Sequence, residues 1–302
     1  MPALLSTVAE FQQSSLGAAL KPYYPTATGA LDLELFRASA EVDRITDRRL
    51  AVPPLSQIST TASAGDMQLN LEDVTNISQG DVLFLVNSGQ TVQVRGAELT
   101  LPAEPNGNAY AGTVHLAEPI EVDLATGSPV QVYRQTFYEI RGKATNEIDD
   151  AVPMSQEGQL ARMHAPFLRR GASGRTIFLE SYPVIELHAA FESLPWSNTE
   201  TTVDLTASYL LPEQGWYRLP VGFYNPMATI WRTQYLAGFS TIPYDLRDAV
   251  HNLLAERLMR GQNPLGASSI RSGDQAYTNP GLIYRQRALE ILTQGKYIRT
   301  WR

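Results

Sequence analysis

The chain has 302 residues, of which 43% are hydrophobic and 18% are charged, and its formal net charge is −7 at pH 7. No apolar run approaches the roughly 18 residues that a membrane-spanning helix needs, so the sequence predicts a soluble protein with no membrane partner. It contains no cysteine, which excludes disulfides, thiolate metal sites and cysteine nucleophiles. The start, Met1–Leu5, lacks a basic segment followed by an apolar run, so we expect no secretion signal and synthesis in a cytoplasm.

The charge is distributed unevenly along the chain. Residues 261–302 carry six basic side chains against Asp274 and Glu290, a local net charge of +4 that leaves −11 for the rest. An acidic body with a basic C-terminal segment argues against a general nucleic-acid binder, which carries a basic stripe on its folded face. The basic segment either docks onto an acidic partner or is a helix end whose cations suit the helix dipole.

The first part of the chain has the spacing of apolar residues that is typical of helices. A short helix is predicted over Ala3–Leu16. Apolar residues at i, i+4, i+7, i+11 and i+14 then predict a longer helix over Leu31–Arg49. The pair Pro53-Pro54 ends helical structure.

From Ser59 to Tyr133 the periodicity changes to two. Alternating runs such as Met67–Leu71, Val82–Val86 and Val130–Tyr133 predict strands, and Gly-containing turns separate them. This spacing is typical of a small barrel or sandwich, so residues 58–135 are interpreted as an inserted β-module.

A second antiparallel sheet is predicted further along. Its strand signals are Thr176–Leu179, Val184–Leu187, Thr202–Leu205, Trp216–Leu219 and Ala228–Trp231. The stretch between Gln135 and Leu168 is interpreted as a loop with helical fragments.

The C-terminal part turns helical again after Pro243. An apolar stripe that includes Leu246, Val250 and Leu253 predicts a helix up to Gly261. A linker rich in Gly, Ser and Asn follows over 261–278, and Asn279 with Pro280 begins a last helix that ends near Gly295.

Together these elements predict an α+β protein in which a helical bundle packs with an antiparallel β-sheet and carries an inserted all-β domain. The predicted divisions are N-terminal helices over 1–57, the β-module over 58–135, a core sheet and helix over 136–260, and a linker with a basic helical tail over 261–302.

Catalytic and cofactor motifs are missing from the sequence. The histidines 115, 164, 188 and 251 have no metal-ligand spacing, and Gly171–Thr176 lacks the spacing and lysine of a phosphate loop. No nucleophile elbow or dinucleotide fingerprint is present. The pair Asp149-Asp150, with Glu147 nearby, is the one candidate for acid–base work or Ca²⁺ binding. We expect no catalytic residue, no metal and no cofactor.

Two segments resemble the tailed-bacteriophage head–tail connector, or adaptor, family. One includes Tyr182–Val184, Gly215–Leu219, Tyr235–Phe239 and Ile242–Val250, and it is preceded by a helix with the run Glu41–Leu50. The predicted β-module also resembles a β-domain of phage virion proteins, through turns such as Ala64–Asp66, Gly80–Val82 and Gly127–Val130.

The resemblance implies a structural protein that forms a ring of twelve copies at the head–tail junction of a virion. Its partners would be a portal protein and a tail or neck protein, and DNA would pass through without specific recognition. The family carries no catalytic residues. Its C-terminal segment commonly reaches the portal, which makes the basic tail of this chain the expected docking element, through Arg285, Arg287, Lys296, Arg299 and Arg302.

Five apolar residues are expected to be buried, either within the subunit core or between subunits. These candidates are Leu246, Val250, Leu253, Tyr235 and Trp231. Two alternatives stay open. The β-module is a virion decoration that recognises carbohydrate or another virion protein, with strand aromatics such as Trp216 as a sugar platform, or the chain is an enzyme that uses Asp149, Asp150 or a histidine.

Overall fold

The structure is a computed structural model that describes residues 4–27, 29–100, 110–139, 174–194, 197, 199–220, 222–223, 230–260, 269–272, 275–278, 280–293 and 297. Its contacts divide the chain into two units. The first comprises 1–79, 83–131 and 239–300, and the second comprises 80–82, 132–238 and 301–302. Across the described residues, none of the helices has the length and apolarity to cross a membrane.

Helices are concentrated in the first unit. They are α1 Val8–Gln13, α2 Ser15–Leu20, α3 Ala30–Thr46, α4 Tyr244–Arg260 and α5 Pro280–Thr293.

Strands occur in both units. The fourteen described strands are β1 Leu55–Gln57, β2 Gln68–Leu71, β3 Val82–Leu85, β4 Gln90–Leu99, β5 Gly112–Leu116, β6 Pro129–Glu139, β7 Gly174–Phe178, β8 Val184–Ser193, β9 Thr201–Thr202, β10 Tyr209–Leu211, β11 Trp216–Pro220, β12 Ile230–Ala237, β13 Ser269–Ser272 and β14 Gln275–Thr278.

The predicted N-terminal helix is two helices. Ser14 has an extended backbone, and its hydroxyl accepts a hydrogen bond from the Gly17 N–H at 2.9 Å, so it ends α1 and caps α2. At the start of α1, Thr7 and Glu10 form a capping box in which each side chain accepts from the other's backbone N–H. A single helix over 3–16 is therefore wrong, because the serine competes for the backbone hydrogen bonds.

The two long helices confirm the periodicity argument. The third helix α3 ends at Thr46, and its cap residue Asp47 has a left-handed backbone at φ 55°. The buried residues of α3 and α4 share one aliphatic core with Leu5, Val8 and Phe11. The predicted packing of the helix after Pro243 against the helix over 31–49 is thereby confirmed.

The first unit also contains the strands of residues 55–131. Within it β2, β5, β4 and β3 are neighbours in that order, and β1 pairs antiparallel with the first residues of β6. Gly112 lies so close to the neighbouring strand that an added Cβ would sit 2.1 Å from the Glu98 carbonyl oxygen. A substitution at this position therefore requires the ladder to open.

One buried contact joins these strands to α3. The Tyr110 hydroxyl donates to Asp32 Oδ1 at 2.5 Å, and the Tyr110 ring packs edge-on against Phe36. Burial, together with the Asp32 carboxylate, raises the pKa of Tyr110. Because α3 and the strands fall in one contact unit, residues 58–135 are not singled out as a separate domain, and an inserted domain with those boundaries stays a prediction.

The second unit contains antiparallel sheets, as the sequence predicts. One has the order β6, β12, β8, β9, and the other has the order β10, β11, β7. The two share a buried core of Ile177, Leu179, Tyr217, Trp231 and Tyr235, among others. The coarse fold class is thus confirmed as α+β with antiparallel sheets.

The predicted loop after Gln135 begins too early. Strand β6 continues to Glu139 because β12 pairs with it over that stretch, with Gln234 opposite Gln135 and Ile230 opposite Glu139. The rest of the predicted loop, over 140–168, lies outside the described residues.

The linker predicted over 261–278 contains regular structure. Strands β13 and β14 pair antiparallel, with Ser269 opposite Thr278, and join no other strand among those described. The last helix begins at Pro280 as predicted and ends at Thr293. Asn279, the expected cap, lies outside the described residues.

Candidate functional site

The five predicted apolar candidates all lie inside the cores of their own units. Leu246, Val250 and Leu253 have no exposed surface and belong to the helical core. Trp231 and Tyr235 are equally buried in the core of the second unit. They hold these units together, so none of them is offered to a second copy of the chain.

The C-terminal helix α5 has two different faces. Its inner face follows a spacing of four, three and four residues, through Gly281, Arg285, Ala288 and Leu292. The other face carries two exposed apolar side chains, Leu282 at 43% and Ile283 at 60% exposure, followed by exposed polar residues. These are Gln286, Arg287 and Glu290. The described part of the chain leaves Leu282 and Ile283 uncovered.

Arg285 attaches the inner face of α5 to α3 and α4 by ion pairs. Its guanidinium lies 3.0 Å from Glu41 Oε1 on α3 and 3.9 Å from Glu256 Oε2 on α4. Both carboxylates are nearly buried, with only 4% of the Glu256 side chain exposed. A charge in such surroundings is costly without a partner, so Arg285 compensates two groups at once.

The neighbouring charges extend this arrangement into an ion-pair cluster of Glu34, Glu41, Glu256, Arg257 and Arg285. Arg257 donates to Glu34 at 2.7 Å and to Glu41 at 3.3 Å. Burial raises the pKa of Glu34, but the hydrogen bonds from Arg257 and Arg37 outweigh it and lower the pKa overall. The cluster joins α3, α4 and α5 by alternating charges.

A second anchor follows α5. Tyr297 is buried, and its hydroxyl donates to both oxygens of Asp245 at 2.7 Å. Its ring lies edge-on to Phe239, with 6.2 Å between the centroids. Burial raises the pKa of Tyr297, and the hydrogen bond to Asp245 raises it further.

Two residues of the predicted docking tail lie among the described residues. Arg285 pairs with Glu41 and Glu256 in its own chain, and its docking onto a partner stays a prediction. Arg287 is exposed and makes no ion pair with the described part of the chain. Lys296, Arg299 and Arg302 lie outside the described residues.

Among the described histidines, His251 on α4 is the one close to a nucleophile-type side chain. Its Nε2 lies 2.8 Å from the Ser6 hydroxyl, which also contacts Glu10 Oε2 at 3.0 Å. Arg247 donates to the other Glu10 oxygen at 2.7 Å. Burial lowers the pKa of His251. Ser6 and His251 are both more than 90% buried and connect the N-terminal segment to α4. Ser6, Glu10 and Arg247 also line a pocket of about 350 Å³.

The two other described histidines contact a tyrosine ring and a glutamate. His188 stacks on Tyr133 at 4.0 Å between ring centroids, and His115 lies 3.3 Å from Glu98. No group of three or more metal-ligating side chains is found among the described residues. His164, Asp149 and Asp150 lie outside them. Of the aromatic residues considered as a sugar platform, Trp216, Tyr217, Trp231 and Tyr235 are buried.

Comparison with known proteins gives no relative. No protein-family model, curated protein or solved structure matches the chain.

Sequence reasoning misses the polar residues that connect distant segments. The buried ion pair of Asp81 with Arg134, at 3.2 Å, is an example from the second unit. In the sequence, Gly80-Asp81 indicates only a turn, and the partner of Asp81 is 53 positions away. No local spacing marks such a pair, and the same is true of Glu41 with Arg285.

Proposed function

We propose that the protein is a structural adaptor that forms a ring, of twelve copies by the resemblance, between the portal and the tail of a phage virion. The proposal includes the finer fold prediction, a helical bundle packed with the sheet and an inserted domain over 58–135. The observation that carries it is the outer face of α5, where Leu282 and Ile283 are exposed beside Arg287. Exposed apolar side chains next to a cation are typical of a protein-binding surface.

The positions of the chemistry-bearing side chains support a binding role over catalysis. Ser6, His251 and Glu10 are engaged with one another and with Arg247. Catalysis needs a reactive group that a substrate can reach, in a geometry that favours the transition state. Ser6 lines a pocket of about 350 Å³, but its side chain is only 4% exposed and its hydroxyl already contacts His251 and Glu10.

The portal is the proposed partner of the outer face of α5. Arg287 then supplies the charge contact within the described residues, and Leu282 with Ile283 supplies apolar burial. Lys296, Arg299 and Arg302 stay predicted contributors to the same contact. Because exposed charge pairs are screened by salt and apolar contacts are not, we expect portal binding to weaken only in part as ionic strength rises.

The proposed DNA channel rests on charge. With +4 in residues 261–302, the remaining chain carries −11. A wall of like charge discourages phosphates from adhering to it, so the DNA would pass without specific recognition.

A second function is favoured by a polar cleft in the predicted β-module. The cleft has a volume of about 340 Å³ and is lined by hydroxyl, carboxylate and amide side chains that include Thr60, Asp66, Gln68 and Asn70. These groups are suited to the hydroxyls of a carbohydrate. A virion decoration that binds sugar is therefore the alternative, and a glycan-binding screen with the Gln68→Ala variant as control tests it.

Mass measurement of the purified chain tests the leading proposal. The chain is measured alone and with a candidate portal protein, at several ionic strengths. A closed assembly of about twelve copies of 33.3 kDa, alone or on the portal, supports the adaptor. A monomer that ignores the portal at every ionic strength contradicts it and favours the carbohydrate alternative.

A further inference from the structure

The C-terminal arm, defined as β13, β14, α5 and Tyr297, is attached to the rest of the first unit by specific side-chain contacts. Those described include the Arg285 ion pairs, the buried side chains of Ala288 and Leu292, and the Tyr297 hydroxyl on Asp245. The hairpin of the arm pairs only with itself among the described strands.

The receiving surface is complementary in charge and belongs to α3 and α4. Glu41 and Glu256 form an acidic position for Arg285, and Asp245 accepts from Tyr297. All of these receiving residues precede position 261 in the chain. The same surface is therefore complete in any copy of the protein, whichever arm occupies it.

The connection between α4 and the hairpin limits how far an exchanged arm can reach. Residues 261–268 separate α4 from the hairpin, and an extended chain covers about 3.3–3.6 Å per residue, so this stretch spans up to roughly 28 Å with the hairpin intact. Exchange of an identical element between copies costs little, because every contact of the closed form is made again in the exchanged form.

We propose that neighbouring copies exchange their C-terminal arms, so that α5 of one copy lies on the α3–α4 surface of the next. This rests on the proposed ring. The contact is heterologous, since each copy gives an arm on one side and receives one on the other, and such contacts form a ring when the rotation from copy to copy closes. The partner is therefore a second copy of this chain, held by the Arg285 position and by Tyr297.

Two charge-reversed variants test the exchange. Arg285→Glu makes an arm that the acidic surface repels, and Glu41→Lys makes a surface that a normal arm avoids. Each variant alone is expected to need a concentration about tenfold higher, or more, to assemble. Mixed one to one, the two are complementary in both directions. The unchanged Arg285 of one variant meets the unchanged Glu41 of the other, and the two substituted side chains, opposite in charge, meet in the next contact.

The mixture is the decisive measurement. Exchange predicts that mixing restores assemblies with equal numbers of the two variants, measured by native mass with one variant isotopically labelled. Arms that dock only within their own copy give no rescue on mixing, and this result overturns the proposal. Single variants that assemble like the wild type overturn it as well.

Controls separate this proposal from the proposed ring and from misfolding. Arg95→Glu makes the same charge change at an exposed position on β4, away from α5, and is expected to leave assembly of the chain unchanged. The chain with both Arg285→Glu and Glu41→Lys should assemble alone, which shows that the substitutions permit folding. If the wild type assembles but the mixture of variants is not rescued, arm exchange is overturned and the proposed ring is not. If the wild-type chain stays monomeric alone and on the portal, both the exchange and the ring are overturned.

Discussion

The helical core of the first unit and the sheet core of the second unit accommodate polar groups differently. In the helices, the largest buried cluster is mostly aliphatic, and the polar contacts of the unit, such as Ser6 with His251 and the ion-pair cluster, lie beside it. In the second unit, polar atoms enter the core itself. Tyr217 and Thr233 share a hydrogen bond of 2.9 Å, Tyr235 and Thr136 share another, and Arg134 pairs with Asp81.

This contrast determines where each region is sensitive to substitution. An aliphatic core is stabilised by burial, and exposed ion pairs at its edge contribute little. A core with internal hydrogen bonds depends on complete pairs, because one partner left alone retains the full cost of desolvation. Four substitutions test the contrast, in order of decreasing effect.

Leu246→Asp is expected to have the largest effect, loss of the folded first unit. Leu246 is fully buried among α3 and α4 residues, and an unpaired carboxylate there costs several kcal/mol. Circular dichroism with thermal unfolding measures it. Tyr244→Asp, two positions earlier at a side chain that is 78% exposed, is the matched control and should melt like the wild type. A cooperative, wild-type-like transition in Leu246→Asp contradicts the aliphatic core.

Asp81→Ala should destabilise the second unit by about 3–5 kcal/mol, because it removes the carboxylate that pairs with the buried Arg134 guanidinium. Urea unfolding measures the change. The double variant Asp81→Ala with Arg134→Met removes both charges and should recover part of the loss. If the double variant is no more stable than the single one, the buried pair is not the source of the effect.

Tyr217→Phe should cost about 1–2 kcal/mol, since it deletes the hydroxyl that pairs with Thr233 in the sheet core and leaves the ring in place. Tyr244→Phe is the control, because Tyr244 is 78% exposed and its change should be close to zero. Equal unfolding free energies for the two variants would remove the distinction drawn between the two cores.

Arg247→Gln should give the smallest effect, at the rim of the helical core. Burial tends to raise the pKa of Glu10, but hydrogen bonds from the Thr7 backbone, Arg247 and Ser6 lower it overall. Ionised Glu10 therefore stabilises the fold above its unfolded pKa, and this contribution is lost as the pH falls through the folded pKa. The variant should raise the pKa of Glu10 and reduce the loss of stability in acid. NMR titration measures the pKa, and acid unfolding measures the stability.

Arg37→Gln is the control, because it removes a guanidinium that pairs with Glu34 instead of Glu10. An unchanged Glu10 pKa in Arg247→Gln contradicts the assignment.

The same contrast explains how much of the molecule the sequence predicts. Helical periodicity locates α3 and α4 and the buried positions Leu246, Val250 and Leu253, because burial repeats every three or four residues. It does not predict that Arg285 pairs with Glu41, which lies far earlier in the chain. The β13–β14 hairpin escapes prediction for another reason: Ser269–Ser272 is mostly polar and lacks the alternation that marks a half-buried strand.

The candidate site is predictable as a region and not as a set of residues. Basic composition identifies the C-terminal helix, but composition cannot distinguish Arg285 on its inner face from Arg287 on its outer face. That distinction requires knowing which stripe of α5 is buried, and Ala288 and Leu292 are too few to define a stripe from sequence alone.

The order of the two units along the chain has a consequence for synthesis. The first unit is built from 1–79, 83–131 and 239–300, so most of the second unit, over 132–238, is translated between its parts. Early helices such as α3 leave the ribosome long before α4 and α5 arrive to cover their aliphatic sides. At about 5–20 residues per second, these sides stay uncovered for on the order of ten seconds or longer. Folding of the helical core is then a late event, and a chaperone that shields Leu35 and Val42 until α4 has emerged would raise the yield of this protein.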